Sequence, residues 1–459
     1  MNRVPAEIFK AYDVRGPVSL LSSEVAYWVG RAVGAQARAR HIKTIALAGD
    51  GRLSTPELMQ ATEHGLLEAG VSVCKLGLAS TPLLYFAAKH HADASGVMIT
   101  GSHNPPEYNG IKLVLGGETI DGAALQQLRE QIEADDLPLA TGGVVQHIDV
   151  HADYLRQLKQ AIGLANDISR RIKVVIDCGN GIAGAVAPRL FRELGCEVIE
   201  LYCDVDGHFP NHHPDPQVAE NLRELRAKVA ELNADIGIAF DGDGDRLGVV
   251  TRSGQIIPGD RLLMIFASIV LAQQSGHVLY DVKSSRAVAQ WVRQLGGTSE
   301  AIPTGHSHMK RKLKQSKALL AGELSGHFAF AGWGVDDALY AGARLLCSIA
   351  DGLELDALLA KLPICLSTPE LQIALTGAGH LLVKDIAAKA QFPTASSISF
   401  IDGLRIEYAD GFGLIRASNT TPVLTLRIEA DDASALHRIE QELAAAIAPL
   451  PFPQYSLNQ

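Results

Sequence analysis

Short apolar runs alternate with amphipathic stretches along the chain, and the alternation comes round three times. In the first round a helix is expected to start near Ser22-Ser23-Glu24, followed by a strand over residues 44–50 and a helix from about Thr55 to Ala69. Strands over residues 71–76 and 96–99 complete it. The second round has strands over residues 173–177, 196–201 and 235–240, and the third over 278–281, 300–303 and 318–321, with a helix carrying Trp291. Strands separated by helices at this spacing predict mainly parallel, helix-covered sheets. Each round delivers a polar loop from the end of its third strand.

Past Leu362-Pro363 the pattern changes to paired strands, residues 404–408 and 412–416, joined by a tight Ala409-Asp410-Gly411 turn. A strand over 423–428 and a helix ending near Ala446 follow. The fold expected is α/β: three related domains with mainly parallel mixed sheets plus a smaller C-terminal α+β domain, arranged around a central cleft. The expected boundaries are 1–148, 149–251, 252–362 and 363–459. The last domain, on a proline-bearing connector, suits a movable lid.

Size agrees with this division, since 459 residues are too many for one core and imply about three or four domains. An apolar content of 47% with 20% charged residues is ordinary for a soluble globular protein. No apolar stretch is long enough to span a bilayer and no signal-type segment opens the chain, so a cytoplasmic protein without a membrane partner is expected. Six scattered cysteines without a C-x-x-C pair argue against a disulfide framework or a zinc site. The net charge of −10 argues against a nucleic-acid partner. An anionic ligand would need its positive charge supplied locally.

The candidate chemistry lies in the loops. Ser102, in Thr100-Gly101-Ser102-His103-Asn104-Pro105-Pro106, falls just past the strand over 96–99, where open α/β sheets place ligands. Its hydroxyl is expected to be presented rather than buried, with His103 beside it as donor or proton carrier. Asn104 and the prolines hold an extended turn. A plain surface turn is the alternative. In Asp241-Gly242-Asp243-Gly244-Asp245-Arg246, three carboxylates at alternate positions can converge on one ion. The stretch lacks the glycine and glutamate positions of a calcium EF-hand, and all-oxygen ligands favour Mg²⁺. Arg246 is either their surface ion-pair partner or a phosphate contact.

Glu323, Ser325 and His327 alternate after a strand, and a glutamate there can accept hydrogen bonds from paired sugar hydroxyls, with structural capping as the alternative. Residues 416–421, Arg416-Ala417-Ser418-Asn419-Thr420-Thr421, combine a guanidinium with hydroxyl, amide and backbone donors, an inventory that suits a phosphate dianion. Lys112, just beyond an Asn109-Gly110 turn, is an ordinary strand lysine or a proton carrier near Ser102. Tyr12, Arg15, Lys283 and His306 are weaker signals.

Taken in order, the serine loop, Asp-Gly-Asp-Gly-Asp-Arg, Gly-Glu-Leu-Ser-Gly-His and Arg-Ala-Ser-Asn-Thr resemble the α-D-phosphohexomutase family over essentially the whole chain, most of all its bacterial bifunctional phosphomannomutase/phosphoglucomutase branch. The resemblance implies reversible phosphoryl transfer between hexose 1-phosphate and hexose 6-phosphate, of mannose, glucose or both. Phospho-Ser102 would be the donor, and hexose 1,6-bisphosphate (glucose 1,6-bisphosphate) the activator and intermediate. It implies Mg²⁺ held by Ser102, Asp241, Asp243 and Asp245. Catalytic duty would fall to Ser102, Lys112, His103, Arg15, His306 and His327, with Lys112 the first choice of base and the three histidines its rivals. Tyr12, Arg246, Lys283, Thr304-Gly305-His306, Glu323-Leu324-Ser325-Gly326-His327 and Arg416-Ala417-Ser418-Asn419-Thr420 would bind the sugar phosphate. A monomer feeding nucleotide-sugar and polysaccharide synthesis is the accompanying expectation.

Two departures stand out. Gly101 replaces the family's usual alanine and is expected to loosen the serine loop. Leu324 stands where dual-substrate members tend to have methionine and phosphoglucosamine mutases glutamine, which weighs against the last activity. A sugar-phosphate-binding relative without catalysis and a plain phosphatase are the rival readings.

Overall fold

The computed structural model describes residues 3–164, 167–418 and 421–457. The chain forms two compact units, Met1–Leu262 with Ser325–Leu358 and Leu263–Leu324 with Leu359–Gln459.

Two sheets build the first unit. One runs Val14–Pro17, Tyr108–Leu115, Gly96–Ile99, Thr44–Gly49, Ser72–Leu78, Val145–His147. Its last four strands pair in parallel, and Tyr108–Leu115 and Val14–Pro17 are antiparallel. Gly96–Ile99 is buried at every position, as a central strand covered on both faces must be. Helix Ser23–Ala39 begins at Ser22, whose hydroxyl accepts from the Val25 amide. Val25, Val29 and Val33 recur at a spacing of one turn, and with Leu58, Met59 and Leu66 of helix Thr55–Glu68 they cover the Ile45, Leu47, Val97 and Ile99 side of the sheet. Each such side chain fully removed from water contributes about 1.5–3 kcal/mol.

Asn109-Gly110 is not a turn. Both residues lie inside Tyr108–Leu115 and pair with Val14–Pro17. The Asn109 amide donates to Ser54 Oγ (2.8 Å) and Thr55 Oγ1 (3.1 Å), tying the strand to the start of helix Thr55–Glu68. Such long-range bonds outweigh the local turn preference of the pair.

The other sheet runs Ile256–Ile257, Leu247–Thr251, Ile236–Phe240, Lys173–Asp177, Glu197–Leu201, parallel over its last three strands and antiparallel elsewhere. Helix Ala338–Ala350 belongs to this unit and starts at Asp337, whose carboxylate accepts from Tyr340 N (2.9 Å), Tyr154 Oη (2.9 Å) and Trp333 Nε1 (2.6 Å). Burial pushes the Asp337 carboxyl up to about 6, against the downward pull of those donors. A folded pKa above the unfolded value makes its contribution most favourable below about pH 4, and it is lost as pH rises through 6. Asp337→Asn keeps a capping oxygen without the charge. Its stability relative to the parent is expected to improve from pH 4 to pH 7 by about 2–3 kcal/mol, read from urea unfolding at the two pH values. A constant difference would remove the argument.

In the second unit Thr298–Ile302, His277–Asp281 and Leu320–Gly322 lie side by side in parallel. The remainder is an antiparallel sheet in the order Leu366–Ser367, Val423–Ala430, Gly411–Ala417, Leu404–Tyr408, Ser397–Ser399, with Leu371–Ala374 also on Val423–Ala430. The expected hairpin is present, with Tyr408 opposite Gly411. Helix Ala433–Ile447, capped by Asp432, sets Leu436, Ile439, Leu443 and Ile447 into that sheet's core. Arg405 fastens the sheet to the loop after His277–Asp281, donating to Val282 O (2.5 Å) and Ser284 O (2.8 Å) across the face of Phe412. Mainly parallel α/β sheets followed by an antiparallel α+β sheet are thus what the apolar pattern predicts.

Candidate functional site

In the first unit the serine loop and the acidic loop meet. Each leaves the carboxyl end of a central strand, Gly96–Ile99 and Ile236–Phe240. A Cβ on Gly242 would stand 2.2 Å from Ser102 O, so only glycine lets the two backbones approach this closely. Ser102 takes a left-handed conformation, φ 50°, and its Oγ donates to Asp241 Oδ2 (2.9 Å) and lies 3.2 Å from His103 Nδ1. Its exposure is 2%. The hydroxyl is therefore buried, contrary to the sequence expectation, because the acidic loop covers the end of the strand.

Asp241, Asp243 and Asp245 are fully buried, with ligand oxygens within 4.8 Å of one another. Their oxygens divide the work. Asp241 Oδ1 accepts from the amides of Gly244, Asp245 and Arg246, each at 3.1 Å, which fixes the turn and leaves Oδ2 to Ser102. Asp243 Oδ2 accepts from Thr81 Oγ1 (2.5 Å) and Lys112 Nζ (2.7 Å), and Asp245 Oδ2 from Lys112 Nζ (2.6 Å). Among the described residues, Asp243 Oδ1 and Asp245 Oδ1 are buried without a hydrogen-bond partner. Buried carboxylate oxygens left over in this way are costly unless a cation takes them. The donor set is all hard oxygen and fits a small divalent ion. Burial and the charges of Asp243 and Asp245 push the Asp241 carboxyl well above the usual range, whereas at Asp243 burial is outweighed by Lys112 and the carboxyl is held low.

Lys112 is 4% exposed. Burial alone would favour its neutral amine, but Asp243 and Asp245 outweigh it and hold the ammonium well above its ordinary pKa. That argues against Lys112 as first choice of base, because a base must give up this proton first. His103 is held well below the ordinary histidine value by burial, then by Arg246 and Arg15. It is a neutral imidazole beside Ser102. Arg15 pairs with Asp13 and donates to Asn104 Oδ1 (2.9 Å), reaching the same loop. Tyr12 is half-buried nearby in sequence.

Gly101 does not loosen the loop. A Cβ there would stand 2.4 Å from Arg52 Nε, and the Arg52 guanidinium fills that space. It donates to Ser102 O (2.8 Å), Asn104 O (2.5 Å), Pro105 O (2.5 Å) and Tyr108 O (2.9 Å). Asp50 holds the other side, accepting from Arg52 Nε, Thr100 Oγ1 and Gly101 N. Neither residue was singled out from sequence. The available signal was position: Asp50-Gly51-Arg52 follows a first strand, as the loops of Ser102, Asp241 and Glu323 follow third ones.

Ser325, Gly326 and His327 also belong to the first unit. Residues 324–325 form a turn just past strand Leu320–Gly322, so Glu323, Ser325 and His327 lie in the loop after a strand. His327 Nε2 accepts from Arg246 Nε (3.1 Å), and Nδ1 lies 3.3 Å from Asp336 and 3.7 Å from Asp245. Arg246 thus reaches His327 rather than standing only as a surface ion-pair partner. Asp336 and Thr81 were likewise missed.

In the second unit Asp281, at the end of its strand, accepts from Ser284 Oγ (2.6 Å), Leu324 N (3.1 Å) and Thr304 Oγ1 (3.0 Å). Glu323 Oε1 accepts from Gly305 N at 2.7 Å. These bonds draw the loops at 283–284, 304–305 and 323–324 together. His306 begins helix His306–Ser316, its Nδ1 3.1 Å from Lys310 Nζ. Lys283 pairs with Glu370 (3.1 Å), and Arg416 Nε donates to Asp402 Oδ2 (2.7 Å). Ala417 is buried in the strand, and Ser418 Oγ accepts from Thr421. Asn419 and Thr420 lie outside the described residues.

Sequence profiles of phosphoglucomutase/phosphomannomutase match the chain in order: α/β/α domain I over residues 6–138, domain II over 152–254, domain III over 258–364 and the C-terminal domain over 370–446. The phosphoglucomutase of Neisseria gonorrhoeae is 48% identical over 98% of this chain and 99% of its own. The phosphomannomutase/phosphoglucomutase of Pseudomonas aeruginosa is 46% identical over 98% of each. A solved phosphoglucomutase/phosphomannomutase family protein from Burkholderia thailandensis superimposes with a TM-score of 0.91 at 46% identity, covering 98% of this chain and 100% of that one. An Aspergillus fumigatus N-acetylphosphoglucosamine mutase, solved with GlcNAc-6P and magnesium, shares the fold at 14% identity, TM-score 0.62, over 96% of each chain. With every domain matched and nearly half of all positions identical over the full length, the chain belongs to the phosphoglucomutase/phosphomannomutase family.

Proposed function

We propose that this protein interconverts hexose 1-phosphates and hexose 6-phosphates, of glucose, mannose or both, through a phosphoserine at residue 102. The observation that carries the reading is Ser102 Oγ 2.9 Å from Asp241 within a trio of buried carboxylates. The bond from phosphorus to Ser102 Oγ breaks as one forms to the free hydroxyl of the sugar phosphate, whose proton goes to a base. The bound hexose 1,6-bisphosphate then turns; the bond from its other phosphorus to the sugar oxygen breaks as one re-forms to Ser102 Oγ, and the sugar oxygen takes the proton back from the base.

Asp241 Oδ2, Asp243 Oδ1, Asp245 Oδ1 and a phosphoryl oxygen on Ser102 would hold Mg²⁺, the ion named in the Aspergillus relative's structure. When bound, that ion would neutralise charge on the transferring group. Lys112 holds Asp243 and Asp245 by their other oxygens, so that both carboxylates are aimed before a ligand arrives. His103 and His327 are the candidate bases, with His306 as a third imidazole. Arg15 steadies the serine loop through Asn104, and Tyr12 and Arg246 are assigned to the phosphate-bearing substrate.

Glu323, with Thr304, Gly305, Leu324, Ser325 and Gly326, is assigned to the sugar, and Arg416, Ala417, Ser418, Asn419 and Thr420, with Lys283, to the phosphate that is not reacting. The proposal gives one loop to each of four domains, 1–148, 149–251, 252–362 and 363–459. A cytoplasmic monomer completes it. Among the described residues no helix is long and apolar enough to cross a membrane.

Glucose 1-phosphate with a trace of glucose 1,6-bisphosphate, coupled to oxidation of glucose 6-phosphate, tests the activity. Turnover without steady release of inorganic phosphate is expected. Steady release would identify a phosphatase, and no reaction with any hexose phosphate would leave a binding protein. Parallel rates on mannose 1-phosphate and glucosamine 1-phosphate rank the sugars, and the last is expected to be slowest. Intact-mass spectra should show a fraction carrying one phosphoryl group that disappears on incubation with excess substrate.

A further inference from the structure

We propose that Asp402 is a positioning residue for the distal phosphate, aiming Arg416 and locking it to the loop at residues 304–305. The inference rests on the reading of Arg416 as a phosphate ligand. Asp402 Oδ2 accepts from two partners at once, Arg416 Nε at 2.7 Å and the Thr304 backbone amide at 3.1 Å. One carboxylate oxygen therefore joins a strand residue and a loop that lie far apart in sequence.

The seat for Asp402 is built into the backbone. Gly403 follows it at φ 82°, where a Cβ would stand 2.5 Å from Ile415 O and 2.9 Å from Arg416 Cα. The turn is pressed onto the very strand that carries Arg416, and no larger residue fits at that position. The side chains of Arg416 and Asp402 are 7% and 13% exposed, so the bond is charge-assisted and little screened.

The bonded atom decides what this does. A guanidinium is planar, so fixing Nε fixes the plane in which its terminal nitrogens lie. A phosphate ligand held in this way loses little freedom on binding. The Thr304 bond carries the effect further. Thr304 Oγ1 is held by Asp281, which also accepts from Leu324 N, and Gly305 N is held by Glu323. Asp402 thereby sets the spacing between the phosphate group and the residues assigned to the sugar. A hexose phosphate has a fixed length, and that spacing must match it.

The test uses full-length Asp402→Ala and Asp402→Asn, with Arg416→Ala and the double variant Asp402→Ala/Arg416→Ala. Binding of glucose 1-phosphate is titrated in a Ser102→Ala background, and kcat and KM are measured with Ser102 intact. The expected result for Asp402→Ala is a 10- to 100-fold weaker affinity and higher KM at a kcat within about threefold. Asp402→Asn, which keeps an acceptor without the charge, should fall between it and the parent. The double variant should bind no more weakly than Arg416→Ala alone, because the two act through one guanidinium.

Unchanged or tighter binding in both Asp402 variants, with Arg416→Ala weakened, overturns the inference and leaves the phosphate site standing. Full affinity in Arg416→Ala overturns the reading beneath it. A lowered thermal midpoint with unaltered affinity and KM identifies Asp402 as structural only and also overturns the inference.

Discussion

Ser102→Ala is expected to abolish turnover, lowering kcat by about 10⁴-fold or more, while glucose 1-phosphate still binds measurably. The oxygen that is lost is the one the transferred group must reside on, and among the described residues its closest carboxylate is Asp241 at 2.9 Å. The fold should survive. Arg52 holds the loop through four backbone carbonyls and Asp50 through backbone and hydroxyl donors, so the loop's path owes little to the Ser102 hydroxyl. The variant should also carry no phosphoryl group in its intact-mass spectrum. Turnover near that of the parent, or phosphorylation persisting in the variant, would place the chemistry on another residue.

Lys112→Met is expected to destabilise the first unit by about 3–5 kcal/mol, since it leaves buried carboxylates without their cation. Lys112 Nζ is 2.7 Å from Asp243 and 2.6 Å from Asp245, and all three side chains are shielded from water. Methionine matches the apolar stem of lysine up to Cε and lacks only the ammonium, so the loss isolates that group. A second readout separates this from simple misfolding. A divalent ion at the trio supplies charge that the ammonium no longer provides, so Mg²⁺ should raise the thermal midpoint of Lys112→Met more than that of the parent. An unchanged midpoint without Mg²⁺, or an equal Mg²⁺ response in both proteins, would mean that the ammonium is not what holds Asp243 and Asp245.

The two largest expected effects fall on residues of different legibility. Ser102 was readable because its loop after an apolar strand has counterparts in the acidic loop at 241–246 and the loop at 323–327, each also past a third strand. The ion pairs of Lys112 were not, because Ile111 and Leu113 on either side make it read as a strand lysine on a solvent face or a proton carrier. Tyr108–Leu115 is instead covered on both faces, and Lys112 stands 4% exposed. The same limit hid Arg52 and Asp402, whose partners lie about fifty residues away in one case and, in the other, on a loop nearly a hundred residues earlier.

What the sequence by itself determined is whatever depends on neighbours along the chain. The spacing of apolar runs sets strands and helices, the switch to paired strands past Leu362 marks the antiparallel sheet, and carboxylates interleaved with glycines mark a turn able to surround an ion. Tertiary structure alone decided which oxygen of each aspartate is spoken for, that the Ser102 hydroxyl is covered, and that Lys112 pairs with Asp243 and Asp245. Those properties are set by burial and by charges brought close in space, and neither is a function of distance along the chain.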